Sequence, residues 1–303
     1  MNRLIIMLLC VGPVVWAQPK LTSVERIAAG TSRQWTQPRF SPDGRSIFFT
    51  TTDLSGVWRY SFAGGVLHQI TSEAGSGGAF AVSPDGRQLV YRRWVAVPGS
   101  RERKQEIILA NLADGTTSVV ASARRLSNPG FVEGKVVYAE GASTRNLVLR
   151  KSSANVTILG IENTKIALNR NGKKVLLDPL GNGHYIWPSL SPAKDRIVVY
   201  EMDRGAFVCD LNGKVRAKLG KRDAPVWTRD GRWLIYMDDR DDGHTILSSD
   251  LCAVSRDGVR TVRLTKTSDL HEMYPDCSPV ENKIVCSSLD GGLYLMTYTM
   301  EDR

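Results

Sequence analysis

The feature that most restricts what this chain can become is a short phrase that it repeats. Pro38-Arg39-Phe40-Ser41-Pro42-Asp43-Gly44-Arg45 leads into the apolar Ile47-Phe48-Phe49, and Ala81-Val82-Ser83-Pro84-Asp85-Gly86-Arg87 leads into Leu89-Val90-Tyr91. The phrase returns from Pro188 to Val199, from Pro225 to Tyr236 and from Pro275 to Cys286, with a shortened copy from Asn128 to Tyr138. Each copy reads as a short strand, a tight turn and a β-branched or aromatic return strand. In the turn Pro fixes φ, Asp caps and Gly takes the positive φ.

Phe40, Val82, Phe131, Leu190, Trp227 and Cys277 hold the same place in successive copies, 42, 49, 59, 37 and 50 residues apart. That spacing is the period of a four-stranded propeller blade. The chain is therefore expected to be all-β, a six-bladed β-propeller of four-stranded antiparallel blades. After the third strand of the last copy little chain remains, whereas Leu21 to Ala28 has the fourth-strand pattern of Val66 to Ser72. The N-terminal strand is expected to complete the last blade, which removes two open sheet edges. The longest interval contains a second hairpin, Lys165 to Leu177, and is read as one enlarged blade; a seventh, degenerate blade is the alternative.

Residues 1–17 read as a signal peptide and 18–303 as one domain. Arg3 is followed by the apolar run Leu4 to Val15, and Val15-Trp16-Ala17 offers small residues where a signal peptidase cuts. The run is too short to span a bilayer, and no later stretch approaches ~18 apolar residues. A periplasmic monomer without a transmembrane segment is expected, with lipid anchoring through Cys10 the lesser reading because Leu8-Leu9 precede it. The chain carries 40 Lys+Arg against 31 Asp+Glu, a net +9, but no run of five like charges, so no nucleic-acid arm is expected. Cys209, Cys252, Cys277 and Cys286 are too sparse for a disulfide scaffold and lack zinc-site spacing. Cys277 and Cys286 are read as facing each other across the first hairpin of the last blade, a candidate disulfide.

No Gly-x-Ser-x-Gly, P-loop, dinucleotide fingerprint or His-Glu-x-x-His occurs, and the only histidines are His68, His184, His244 and His271. The reading is that the chain is not an enzyme and holds no cofactor. Asp43, Asp85 and Asp230 are assigned to turn capping. The stretch Asp238 to His244 reads as a solvated loop, with a partner contact or Ca²⁺ held through its oxygens as alternatives.

Blade topology places the Ser-Pro-Asp-Gly turns on one face of the disc and the irregular connections on the other. Variable loops on a rigid scaffold are where binding concentrates. The candidate contact residues are His184, Tyr185, Trp187, Asp241, Asp242, His244, His271, Glu272, Arg93 and Trp94. They combine aromatic area with charged or imidazole handles, the usual make-up of binding anchors.

The repeats as a set, with His184-Tyr185-Ile186-Trp187-Pro188-Ser189-Leu190-Ser191-Pro192 and Asp241-Asp242-Gly243-His244, resemble the TolB-like, WD-related propellers of Gram-negative periplasms. Within that family they look like standalone exported members without an additional N-terminal domain. The resemblance covers essentially all of the chain after residue 17. The function expected is a non-catalytic scaffold in the cell envelope that binds an envelope protein or envelope-anchored partner. A glycan- or small-ligand-binding propeller using the channel mouth is the alternative, and a hydrolase or lyase the third.

Overall fold

The computed structural model describes residues 17–28, 33–132, 134–140, 156–171 and 173–302, and among them strands dominate, with a single short 3-10 turn at Ser76–Gly78. The leader-like residues 1–16 and the segment 141–155 lie outside the described residues. Strand β1 (Gln18–Ala28) comes first. The first blade is β2 (Trp35–Phe40), β3 (Ser46–Thr51), β4 (Val57–Ser61) and β5 (Val66–Thr71). The second is β6 (Phe80–Val82), β7 (Gln88–Ala96), β8 (Arg103–Asn111) and β9 (Thr117–Ala123). The third is enlarged and split. Its two sheets are β10 (Gly130–Val132) with β11 (Lys135–Val137), and β12 (Val156–Glu162), β13 (Lys165–Arg170) and β14 (Lys173–Leu177).

The fourth blade is β15 (Tyr185–Leu190), β16 (Arg196–Glu201), β17 (Gly205–Asp210) and β18 (Val215–Gly220). The fifth is β19 (Asp223–Trp227), β20 (Trp233–Asp241), β21 (Ile246–Ser255) and β22 (Thr261–Arg263). The sixth holds β23 (Glu272–Cys277), β24 (Lys283–Ser288) and β25 (Leu293–Glu301), and β1 is its outermost strand. These are the six antiparallel blades of a propeller, five of them four-stranded sheets. In the split third blade β12 packs on β10 on one side and on β15 on the other, so this blade supplies two inner strands to the ring.

The N-terminal strand closes the ring as its pattern predicts. β1 pairs antiparallel with β25 from Gln18 opposite Glu301 to Ala28 opposite Leu293. The buried Trp233 indole N–H, which donates to the Ala17 carbonyl at 2.9 Å, fixes the approach to that strand. At the seam, Trp35, Ile47 and Phe49 of the first blade share one apolar cluster with Val285 and Leu293 of the last. Equivalent clusters join neighbouring blades elsewhere, such as Phe48 and Val57 with Phe80, Leu89 and Tyr91. Each such side chain contributes about 1.5–3 kcal/mol through burial, so the ring is held by its blade-to-blade faces.

The turns behave as the repeat implies. In the first, Gly44 N–H donates to the Ser41 carbonyl at 2.9 Å, and Asp43 accepts from the Ser41 hydroxyl at 2.6 Å and from Arg45 N–H at 3.0 Å. Asp85 and Asp230 repeat the arrangement with Ser83 and Thr228. These aspartates are consumed by their own turns.

The Cys277–Cys286 pairing requires correction. Cys277 lies opposite Ile284, and all four described cysteines are free thiols. The ladder passes from Met273–Ser287 to Asp276–Val285, so two residues of β23 face Cys286 alone. The tight turn pairs residues seven apart in every such hairpin, as Val82 with Leu89, so Cys277 and Cys286 are two positions apart diagonally, roughly 7–8 Å between Cα atoms, beyond the span of a disulfide.

Candidate functional site

The bulge recurs, and it builds the site. In four inner strands two residues face one across the ladder, at Gln37-Pro38, Trp187-Pro188, Ala224-Pro225 and Tyr274-Pro275. Proline removes a ladder donor and so suits a bulge. The residue before each proline has a positive φ: Gln37 at 50°, Trp187 at 50°, Ala224 at 46° and Tyr274 at 50°. Non-glycine residues in that region are strained by about 1–3 kcal/mol and persist where the surrounding structure enforces them. A bulge also re-aims a side chain. Here all four residues line one cavity of about 360 Å³ on the channel axis, together with Arg39, Ser189, Val226 and Asp276.

Two layers of chemistry meet there. Deeper in the channel, Arg39 lies over the Phe80 ring at 5.3 Å, and Asp276 accepts from the Phe40 N–H at 2.7 Å across the seam between first and last blades. Enclosure by protein pushes the Asp276 carboxyl up to about 6, against the opposing pull of the Phe40 amide and the Arg39 charge.

Nearer the irregular face stand Trp187, Tyr200, Asp223, Asp239 and Tyr274. Trp187 and Tyr200 meet edge to face at 5.7 Å between centroids. Asp223, only 7% exposed, is pushed up to about 7 by burial and then by its hydrogen bond to Asp239 and that neighbour's charge, while Lys221 and Tyr200 pull the other way. Buried beside the Asp239 charge, Asp223 therefore holds its proton more tightly than an ordinary carboxyl. Tyr274 is pushed up by burial and by the negative field of Asp239 and Asp223. One Asp239 oxygen, Oδ1, is buried without a hydrogen-bond partner.

The residues expected from the sequence divide. Tyr185 is corrected from contact to support. It is 1% exposed, and its hydroxyl donates to Asp178 at 2.7 Å and accepts from Leu180 N–H at 2.9 Å, fixing the loop that delivers Trp187. Glu272 is likewise internal, 0% exposed, and both its oxygens accept from the Thr267 hydroxyl at 3.1 Å. His184 is exposed, with its N–H donating to the buried Glu201 at 3.0 Å. His271 is half-buried, and its Nδ1 has no partner.

Asp241 and Asp242 are exposed but occupied by their own hairpin. Asp241 accepts from Gly243 N–H at 2.8 Å, and Asp242 from His244 N–H at 2.9 Å and Thr245 N–H at 2.7 Å. Lys221 ties Asp241 to the acid pair, 3.7 Å from it and 3.9 Å from Asp223. Arg93 is bound to Glu106 at 2.7 Å and to Glu73, beside the exposed Trp94, within the second blade. Among the described residues no group of three or more His, Cys, Asp or Glu side chains is arranged to hold a metal ion. Of the ten candidates only Trp187 lines the cavity. Gln37, Arg39, Tyr200, Asp223, Asp239, Tyr274 and Asp276 were not singled out as site residues, although the recurring X-Pro at the start of each phrase was a visible signal.

No protein-family model matches the chain, and no curated protein matches its sequence. Among solved structures it is similar to the β-propeller domain of Cps50 (Swd1) from Myceliophteria thermophila, at 12% identity and a TM-score of 0.63, covering 91% of this chain and 100% of that one. It is similar to a gluconolactonase from Xanthomonas campestris, at 14% identity and a TM-score of 0.57, covering 95% and 98%. TolB from Acinetobacter baumannii also aligns, at 14% identity and a TM-score of 0.48, over 90% of this chain and 56% of TolB, just over half its length. At these identities the likeness concerns the fold. The expectation that the chain is not an enzyme is corrected by the gluconolactonase: a propeller of this shape serves an enzyme, so missing hydrolase motifs are no argument against catalysis here.

Proposed function

We propose that this chain is an exported, periplasmic ligand-binding propeller that takes a small polar molecule into its channel from the irregular face. The observation that carries this reading is the fourfold bulge: strain is spent at Gln37, Trp187, Ala224 and Tyr274 to line one cavity. Its volume and its mixture of aromatic walls with a few convergent polar groups match those of small-molecule sites. An envelope-protein contact over the whole irregular face has less support, since Tyr185 and Glu272 are internal and Arg93–Trp94 sits in another sector.

The test is a thermal-shift and calorimetry panel of sugars, amines, carboxylates and neutral alcohols against residues 18–303. At least one class is expected to bind, and Trp187→Ala should weaken it about tenfold or more while Arg87→Ala, on the turn face, leaves it unchanged. Binding that survives Trp187→Ala, or a panel in which nothing binds, would remove the channel reading.

A further inference from the structure

Resting on that channel reading, we propose that the ligand carries a positive charge, an ammonium group held between Trp187, Tyr200 and Tyr274 and the Asp223–Asp239 pair. Three features converge on a cation. The first is the wall: Trp187 and Tyr274 line the cavity, and Tyr200 meets Trp187 at 5.7 Å. Aromatic faces around a small cavity attract cations, most strongly when the cation is out of water.

The second is the unused valence. Asp239 Oδ1 is buried without a hydrogen-bond partner, and leaving a charged acceptor in that state is costly unless something else satisfies it. The neighbouring cation does not do so, because the Lys221 ammonium reaches only the Asp239 backbone carbonyl, at 3.4 Å. The third is the proton that Asp223 keeps beside Asp239, which stands where a second positive charge can go. An arriving ammonium stabilises the doubly ionised pair. The proton then leaves Asp223 for solvent, and one charge replaces another.

The groups around the pair are consistent with this exchange. β16 brings Tyr200 with Glu201 behind it, β23 brings Tyr274, and β20 itself carries Asp241. The only ammonium among them is Lys221, at the exposed rim and already shared with Asp241. Arg39 lies in the deeper layer against Asp276. The mouth therefore favours a cation, and a ligand with a carboxylate at its other end would find Arg39 below.

Choline and its uncharged isostere 3,3-dimethyl-1-butanol, with isovalerate as the anion of similar size, are the probes. Titration calorimetry of residues 18–303 at pH 6 should give choline at least a tenfold advantage over the alcohol, with isovalerate weaker still. Repeating the choline titration in two buffers of different ionisation enthalpy should show close to one proton released. Asp239→Asn should abolish both the preference and the proton release. Arg87→Ala, on the turn face, should retain both.

If the alcohol or isovalerate binds as well as choline, or choline binds with no proton released, the cation proposal is overturned while the channel reading stands. If none of the three binds but a sugar from the wider panel does and is lost in Trp187→Ala, the ligand class is wrong and the channel is right. If nothing on either panel binds, both fall together.

Discussion

Two carboxyls in the channel hold their protons more tightly in the folded protein than an ordinary aspartate does, Asp223 at about 7 and Asp276 at about 6. A raised acid contributes most to stability when protonated, so this contribution is present below about pH 4 and lost as pH rises towards 7. Asp178 and Glu201 act in the opposite sense. Burial works against them, but Lys165, Tyr185 and the Gly183 and Asn182 amides hold Asp178 low, and Arg204 with the His184 amide holds Glu201 low. Their contribution is present above about pH 4 and fades as pH falls. Stability should therefore peak near pH 4–5. Denaturant unfolding at pH 4.5 and 7.5 should show a loss of roughly 2–4 kcal/mol in the parent and about half of that in Asp223→Asn. An unchanged slope in the variant would mean that Asp223 is ionised throughout.

At the scale of one element, the Ser-Pro-Asp-Gly turn shows what its glycine is for. Gly44 has φ of 69°, and a Cβ there would stand 2.3 Å from Val280 Cγ2 on the neighbouring turn of the sixth blade. Gly99 has φ of 74° with nothing within 4 Å of such a Cβ. Gly99→Ala should therefore cost only the backbone term, about 1 kcal/mol, and Gly44→Ala about 2–4 kcal/mol because the clash is added. Equal melting shifts for the two variants would show that the turns do not touch. The bulged inner strand is the other instructive element. The phrase predicts a strand, and a strand is present. The extra residue before each proline changes which residues line the channel.

The whole molecule depends on a seam that no covalent link closes. β1 on β25, the Phe40–Asp276 hydrogen bond and the shared apolar cluster carry it together. Deleting Leu21–Ala28 should open the sixth blade, expose the β25 edge and lower the melting temperature by about 10 °C or more, at ~2–4 °C per kcal/mol for a domain approaching this size. Removing only Asp302 and Arg303 should move it by a degree or two. A deletion variant that melts beside the parent would show that the ring holds without its closing strand.

How much of this was legible beforehand follows from the range of the interactions. Strand, turn and blade period are local: a proline, an aspartate and a glycine at fixed offsets dictate their own backbone, so the repeat by itself determined an all-β propeller and the strand that closes it. The face carrying the irregular loops also followed, from chain direction alone. The site did not. Asp223 and Asp239 stand in different strands of the fifth blade, Tyr200 in the fourth and Tyr274 in the sixth, and of these only Tyr274, ahead of Pro275, carries a local signal. Tyr185, which has the composition of a contact residue, was turned inward by Asp178 seven residues away. Only the tertiary structure decided these matters, because a retained carboxyl proton, an unpartnered carboxylate oxygen and a channel wall exist only once separate blades enclose the same space.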